Sequence, residues 1–277
     1  MKPGSNKFLE IKEPLVVEVI NTVLYSKYKC PTKALIKNLI SELQEKIADS
    51  NFDTSDTAKG LVWQYLVLAR LIDFKGETVY DFVNKFYNNQ TQLPDWTEDA
   101  IINIELYGNK TILSMLDNAL KDVKDDVDVV KKLLWESTKN KLLVPSPAMR
   151  PDGLFIGKCD LNTYWTFLTS AKFHSKNLSS NDFETDLRST DWKLVYCQVN
   201  GEKVNCPNLK EKLETVCEEF VHCGSIRVHF IYPGVASGRG GCYVQGNDVI
   251  MYIDKTLLGH YFEKTYVGLL EKILTKS

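Results

Sequence analysis

The chain has 277 residues, 44% of them hydrophobic and 25% charged, the balance of a folded globular protein rather than a disordered one. Lys and Arg total 34 against 36 Asp and Glu, so no global basic field marks a binder of nucleic acid or of an acidic membrane surface. The length accommodates one large domain or two smaller ones, either with a real core. The richest apolar stretch, residues 60–72, is broken by Gln64 and Arg70, too short and too polar for a membrane span. The start, MKPGSNKFLEIKEP, has no uninterrupted apolar run, so no conventional signal peptide is expected. The seven cysteines (Cys30, Cys159, Cys197, Cys206, Cys217, Cys223 and Cys242) include no Cys-x2-Cys pair. Free thiols in a reducing intracellular compartment are the expectation. His222 and Cys223 are neighbours without a second close pair, so buried thiols are favoured over a zinc site.

Charge divides the chain. Residues 1–130 hold 15 basic and 20 acidic side chains, residues 131–277 hold 19 and 16, and all four histidines fall in the second part. Residues 1–127 are accordingly expected to be an all-helical region and residues 128–277 a second domain. In the first, apolar residues at three-and-four spacing predict helices at 13–24, 33–48, 55–74 and 77–88. Ser55 and Thr57 are available as caps for the third of these. Pro94 interrupts, and helices are predicted to resume at 97–106 and 111–120, followed by a charged connector at 121–128. In the second, a helix at 128–144 ends before Pro145, Pro147 and Pro151. Strands are predicted at 153–159 and 164–173, a short helix at 181–188, and a strand at 193–199 turning at Asn200-Gly201. A helix at 209–221, a strand at 226–232, a glycine-rich loop at 233–241, a strand at 248–253 and a final helix at 261–274 complete the pattern. The predicted fold is α/β or α+β with a mixed sheet.

Chemistry concentrates where Met149-Arg150-Pro151-Asp152-Gly153 leads into a strand and the next strand carries Lys172 near its end. An acid opening one strand and a lysine ending the next can meet at one sheet edge. A metal-assisted phosphodiesterase needs such a pair. The carboxylate binds a divalent cation that polarises the phosphate and lowers the pKa of an attacking water. The lysine orients that water or offsets developing charge. Glu136, in the preceding helix, can supply a further oxygen ligand of the kind a hard cation such as Mg2+ prefers. Taken singly these residues have plainer roles: Pro-Asp-Gly makes turns, and an edge lysine discourages strand association. Their order in combination points to chemistry.

A helix with Glu136, then Pro151-Asp152, then a strand ending Ser170-Ala171-Lys172 resembles the PD-(D/E)XK restriction-endonuclease-like superfamily. The setting is similar to nuclease domains of Crinkler and retrotransposon-hot-spot type effector proteins, over roughly residues 128–253. The resemblance implies Asp152 as metal ligand, Lys172 as catalytic lysine, Glu136 as helix acid, Mg2+ or Mn2+ as cofactor and DNA or RNA as substrate. It also implies action in a host cell or nucleus, although the sequence carries no address. One position departs from the pattern: the second acid, two residues before the lysine, is Ser170, a poor Mg2+ ligand beside a carboxylate. Either Gln198 or Glu184 takes over, or catalysis is lost and the fold persists as a module that binds nucleic acid or a protein. His174 lies two residues beyond Lys172 on the same strand face, and Arg227 alternates with His229. Together with Arg239 in the glycine-rich loop these are the expected contacts to a phosphate backbone. A third reading has the helical region docking a protein partner.

Overall fold

The computed structural model describes residues 56–87, 92–104, 142, 151–159, 163–191, 198–199, 202–203, 221–236, 241–262 and 267. The helices expected at 13–24, 33–48, 111–120 and 128–144, most of that at 209–221 and most of that at 261–274 lie outside the described residues. Helix α1 runs Asp56–Leu71 and tightens into a 3-10 turn, Ile72–Phe74. Gly76, at φ 91°, reverses the chain in the left-handed region that glycine enters without steric cost. Helix α2 follows at Val79–Tyr87, burying Val79, Phe82, Val83 and Phe86 at three-and-four spacing. Both match their predicted spans closely.

The helix predicted at 97–106 is corrected. Among the described residues there, only Trp96–Asp99 is helical (α3), and Ala100 is extended at ψ 104°. Beyond it the chain alternates: Ala100, Ile102 and Ile104 are fully buried while Ile101 is half exposed, the period of a strand rather than a helix. Backbone bonds to the turn before α2 hold it there, Val79 N–H to Ala100 O (2.8 Å), Gly76 N–H to Ile102 O (2.8 Å) and Ile102 N–H to Glu77 O (2.8 Å). β-Branched isoleucines suit that extended path.

Among the described residues a mixed five-stranded sheet forms the centre, in the order β1 (Gly153–Lys158), β2 (Thr163–Phe173), β5 (Val221–Tyr232), β7 (Asp248–Ile253), β6 (Cys242–Gln245). Strand β1 (Gly153–Lys158) pairs antiparallel with β2 (Thr163–Phe173), and β2 pairs parallel with β5 (Val221–Tyr232). The parallel step needs a crossover, and α4 (Ser180–Ser189) lies in that connection. Strand β7 (Asp248–Ile253) runs parallel to β5, and β6 (Cys242–Gln245) closes the edge antiparallel to β7. The pattern had not marked β6; its side chains alternate between half-buried and exposed at an edge, a weak apolar signal. Strand β5 begins five residues earlier than predicted, so Val221, expected to end a helix, opens a strand. Of the strand predicted at 193–199, Gln198–Val199 (β3) is described, and it pairs with Glu202–Lys203 (β4) in a separate two-stranded sheet, Val199 opposite Glu202. The C-terminal segment has a short helix α5, Leu258–Tyr261, which ends where Phe262 turns extended.

Helices α1 and α2 pack on one face of the sheet and share its core. Trp63 is fully buried between Tyr232 and Phe262, with ring centroids at 6.0 Å from each, and its indole N–H donates to Phe230 O at 3.3 Å. Tyr261 Oη donates to Val67 O (2.7 Å) while Arg70 Nε donates to Tyr261 O (2.7 Å), clamping α5 to α1. The opposite face carries a smaller apolar cluster of Leu178, Phe183, Ile231 and Val235 under α4. Among the described residues no helix is long and apolar enough to cross a membrane.

Two glycines test this packing in opposite directions. A Cβ on Gly157 would fall 2.2 Å from Trp165 Nε1, whereas one on Gly60, inside α1, would meet nothing within 4 Å. Gly157→Ala is expected to destabilise by about 1–3 kcal/mol through overpacking. Gly60→Ala is expected to stabilise by roughly 0.5–1 kcal/mol through helix propensity. Urea midpoints of the two variants check both signs.

Candidate active site

Because β1 and β2 are antiparallel, the start of β1 lies beside the end of β2, at the edge where the parallel strands β2, β5 and β7 also end. Ligand crevices of α/β sheets form outside such carboxyl ends. Asp152 stands one residue ahead of β1. Its N–H donates to Thr169 O (2.9 Å), and its Oδ2 accepts from Ala171 N–H (2.6 Å). The ladder stops at Gly153 opposite Thr169, so the carboxylate takes the place of a strand carbonyl for Ala171. Lys172 Nζ lies 3.5 Å from Asp152 Oδ2 and 3.7 Å from Asp186 Oδ1, with the lysine side chain 25% exposed and the two carboxylates 15% and 3%.

Asp186 went unremarked in the sequence. It sits on α4, whose start is capped by Ser179 Oγ accepting from Asp182 N–H. Phe183 and Asp186, three residues apart, form the buried side of that helix. An acid one turn from a buried phenylalanine on an amphipathic helix is the signal that could have found it. Ser170 Oγ donates to Asp186 Oδ1 at 2.7 Å, and His229 Nδ1 lies 2.7 Å from Oδ2. His229 Nε2 meets Thr190 Oγ1 at 3.0 Å, and Arg227 Nε donates to the same oxygen at 3.1 Å. The Arg227 guanidinium also donates to Leu187 O and lies 3.6 Å from Asp248 Oδ2. Burial pushes the Asp186 carboxyl up. The hydrogen bond and charge of His229, the Lys172 ammonium and the Ser170 hydroxyl outweigh it and hold the group well below the usual carboxylate range.

The other expected residues divide. Asp152 and Lys172 are brought together. Glu136 and Arg239 lie outside the described residues. Gln198 belongs to the separate two-stranded sheet. Glu184 is exposed on α4, and Asp186, two residues on, is the acid that reaches the site. Arg227 and His229 do share a sheet face, but they are corrected as an open basic stripe: they are 8% and 0% exposed, covered by α4 and committed to its carboxylate and carbonyl. His174 follows β2 with its N–H bonded to Tyr232 O at 2.9 Å, and its Nε2 is shielded from solvent without a hydrogen-bond partner among the described residues.

A second polar cluster lies toward the start of β5. Thr166 Oγ1 donates to Ser225 Oγ (2.8 Å) and lies 3.0 Å from His222 Nε2, which is 3.4 Å from Ser225 Oγ. Both hydroxyl residues are fully buried, so this serine–histidine neighbourhood offers no nucleophile to a substrate. Burial pushes the His222 pKa below its ordinary value of 6.5, against the raising influence of Asp248.

Two stability measurements follow. Asp186→Ala leaves the His229 and Ser170 polar groups buried without their acceptor, and is expected to destabilise by about 3–5 kcal/mol; urea denaturation reads it. For His222 the unfolded chain binds the proton more readily than the folded one. Its contribution is therefore complete above the ordinary histidine pKa of about 6.5 and is lost as pH falls below it. The urea midpoint should drop between about pH 7.5 and about pH 5.5, and His222→Asn should drop less; equal drops would remove His222 as the cause.

No protein-family model matches this chain, and neither a curated protein nor a solved structure matches it.

Proposed function

We propose that the protein hydrolyses phosphodiester bonds of nucleic acid with the help of a divalent cation, at the Asp152–Lys172–Asp186 edge. The observation that carries this reading is that two carboxylates from different elements converge on one cation, the Lys172 ammonium, at 3.5 and 3.7 Å. Such a point of convergent negative charge also suits Mg2+ or Mn2+. Mg2+ keeps several waters and is commonly held by only one or two carboxylates plus substrate phosphate. Asp152 and Asp186 are the two donors that would hold it; among the described residues no third His, Cys, Asp or Glu joins them in a group able to hold a metal. The bound cation would supply Lewis-acid polarisation of the phosphate and a more acidic water.

The chain's own residues do the rest. Ser170 stands at the sequence position where the resembled family has its second acid, and it donates to Asp186 Oδ1, so on this reading the α4 carboxylate beside it takes the role of that acid. His229 and Ser170 hold Asp186 ionised and fixed in orientation. Lys172 offsets part of the charge of the carboxylate pair, and its N–H groups are the donors for an attacking water and for charge developing on phosphate oxygens. Asp152 orients the end of β2 through Ala171 N–H, so the same side chain positions the lysine and supplies a ligand oxygen.

A second reading rests on the same hydrogen bonds. Asp152 Oδ2 and both Asp186 oxygens already have protein partners, the arrangement of carboxylates that hold a fold. On that reading the site is an inactive module that binds nucleic acid or a protein.

Plasmid DNA and a structured RNA incubated with Mg2+ or Mn2+ separate the two. Cleavage by the wild type is expected, abolished by EDTA and lowered at least about a hundredfold in Lys172→Ala and Asp186→Asn, the usual scale for loss of a positioned catalytic group. A gel shift without cleavage would favour the binding module. Cleavage undiminished in both variants would place any activity elsewhere.

A further inference from the structure

At the opposite end of the sheet from Asp152, two cysteines meet. Cys159 follows the last residue of β1, and its N–H donates to Thr163 O, at the start of β2, at 3.0 Å. Cys223 lies in β5, but the β2–β5 register steps from Tyr164 opposite His222 to Trp165 opposite Gly224, so Cys223 is the extra residue of a bulge. A bulge re-aims the side chain it carries. Here the Cys223 thiol donates to Tyr164 O at 3.1 Å, and its sulfur lies 3.0 Å from that of Cys159 across the end of the intervening strand. Both residues are partly exposed, and neither is joined in a disulfide among the described residues.

We propose that Cys159 and Cys223 are a redox pair that closes to an intramolecular disulfide when the protein meets a peroxide. The geometry supplies what most pairs of thiols lack: two sulfurs in contact, on backbone fixed by a strand end and a bulge, with partial access to solvent. Formation of a disulfide from such a starting point needs an approach of roughly 1 Å to the bonded distance. In the first step the peroxide O–O bond breaks as one sulfur is oxidised to the sulfenic acid, releasing water. In the second the other sulfur, as thiolate, attacks that sulfur and hydroxide leaves, to be protonated by the released thiol proton. The sum is two thiols and one hydrogen peroxide giving one disulfide and two waters, and a small dithiol reverses it by exchange. The bond ties the β1–β2 connection to β5 and closes a loop between residues 64 apart in sequence. It restricts the unfolded chain and raises the melting temperature. The proposal stands on the thiol geometry alone and does not depend on the proposed nuclease chemistry.

The test treats the full chain with hydrogen peroxide, blocks remaining thiols, and maps peptides under non-reducing conditions. A peptide linking Cys159 to Cys223, lighter by two hydrogens and released by dithiothreitol, is expected. It should be absent from Cys159→Ser and Cys223→Ser, and oxidation should raise the melting temperature of the wild type alone. The mapping of the wild type needs no variant to fold. Oxidation of either cysteine to sulfinic acid without a link, a link from either to one of the other five cysteines, or no change in either thiol while those others react would overturn the pairing.

Discussion

The carboxylate of Asp186 enters the space between α4 and the sheet almost without contact with water, and the polar groups around it are arranged to make that tolerable. An unpaired charge there would cost several kcal/mol. It is instead bonded to Ser170 and His229, with Lys172 nearby, and His229 is in turn tied through Thr190 to Arg227. These residues come from β2, α4, the residue after α4, and β5. The network therefore fixes where the crossover helix sits on the sheet as well as how one acid is oriented. The small apolar cluster under α4, Leu178, Phe183, Ile231 and Val235, leaves much of that task to hydrogen bonds.

The contrast with the opposite face is informative. There α1, α2 and α5 cover the sheet with aromatic side chains, and polar contacts such as Trp63 to Phe230 O and Tyr261 to Val67 O are set among them. One face is held by apolar burial and the other by directional bonds. A directional face is the one able to present charged groups in fixed geometry at the strand ends, which is where Asp152 and Lys172 lie.

Asp152 links the two levels. Its backbone continues the β1–β2 ladder and its side chain finishes it, accepting from Ala171 after the neighbouring strand has run out. The glycine that follows serves packing: a Cβ on Gly153 would lie 2.7 Å from both Leu68 and Thr169 side-chain carbons. Asp152 and Gly153 therefore each have a structural explanation, and the same geometry delivers a carboxylate to the lysine of the adjacent strand.

Local pattern was enough for α1, α2, β1, β2, α4 and β7, because apolar periodicity and strand composition are properties of neighbours along the chain. It also sufficed to bring Asp152 and Lys172 under suspicion, since one opens a strand and the other ends the next. It failed at 97–106, where the extended path is set by backbone bonds to the turn before α2, and at β6, an edge strand whose partner β7 supplies the evidence for it. It named Glu184 and Gln198 as substitute ligands and passed over Asp186, and it read Arg227 and His229 as a basic stripe on one strand face. Those distinctions depend on which face of α4 meets the sheet and on what covers β5. The sequence alone determined the elements and the chemical types available to the site. The tertiary structure decided which carboxylate joined the lysine and which thiols touched, because burial and contact between residues distant in sequence exist only once the crossover has docked.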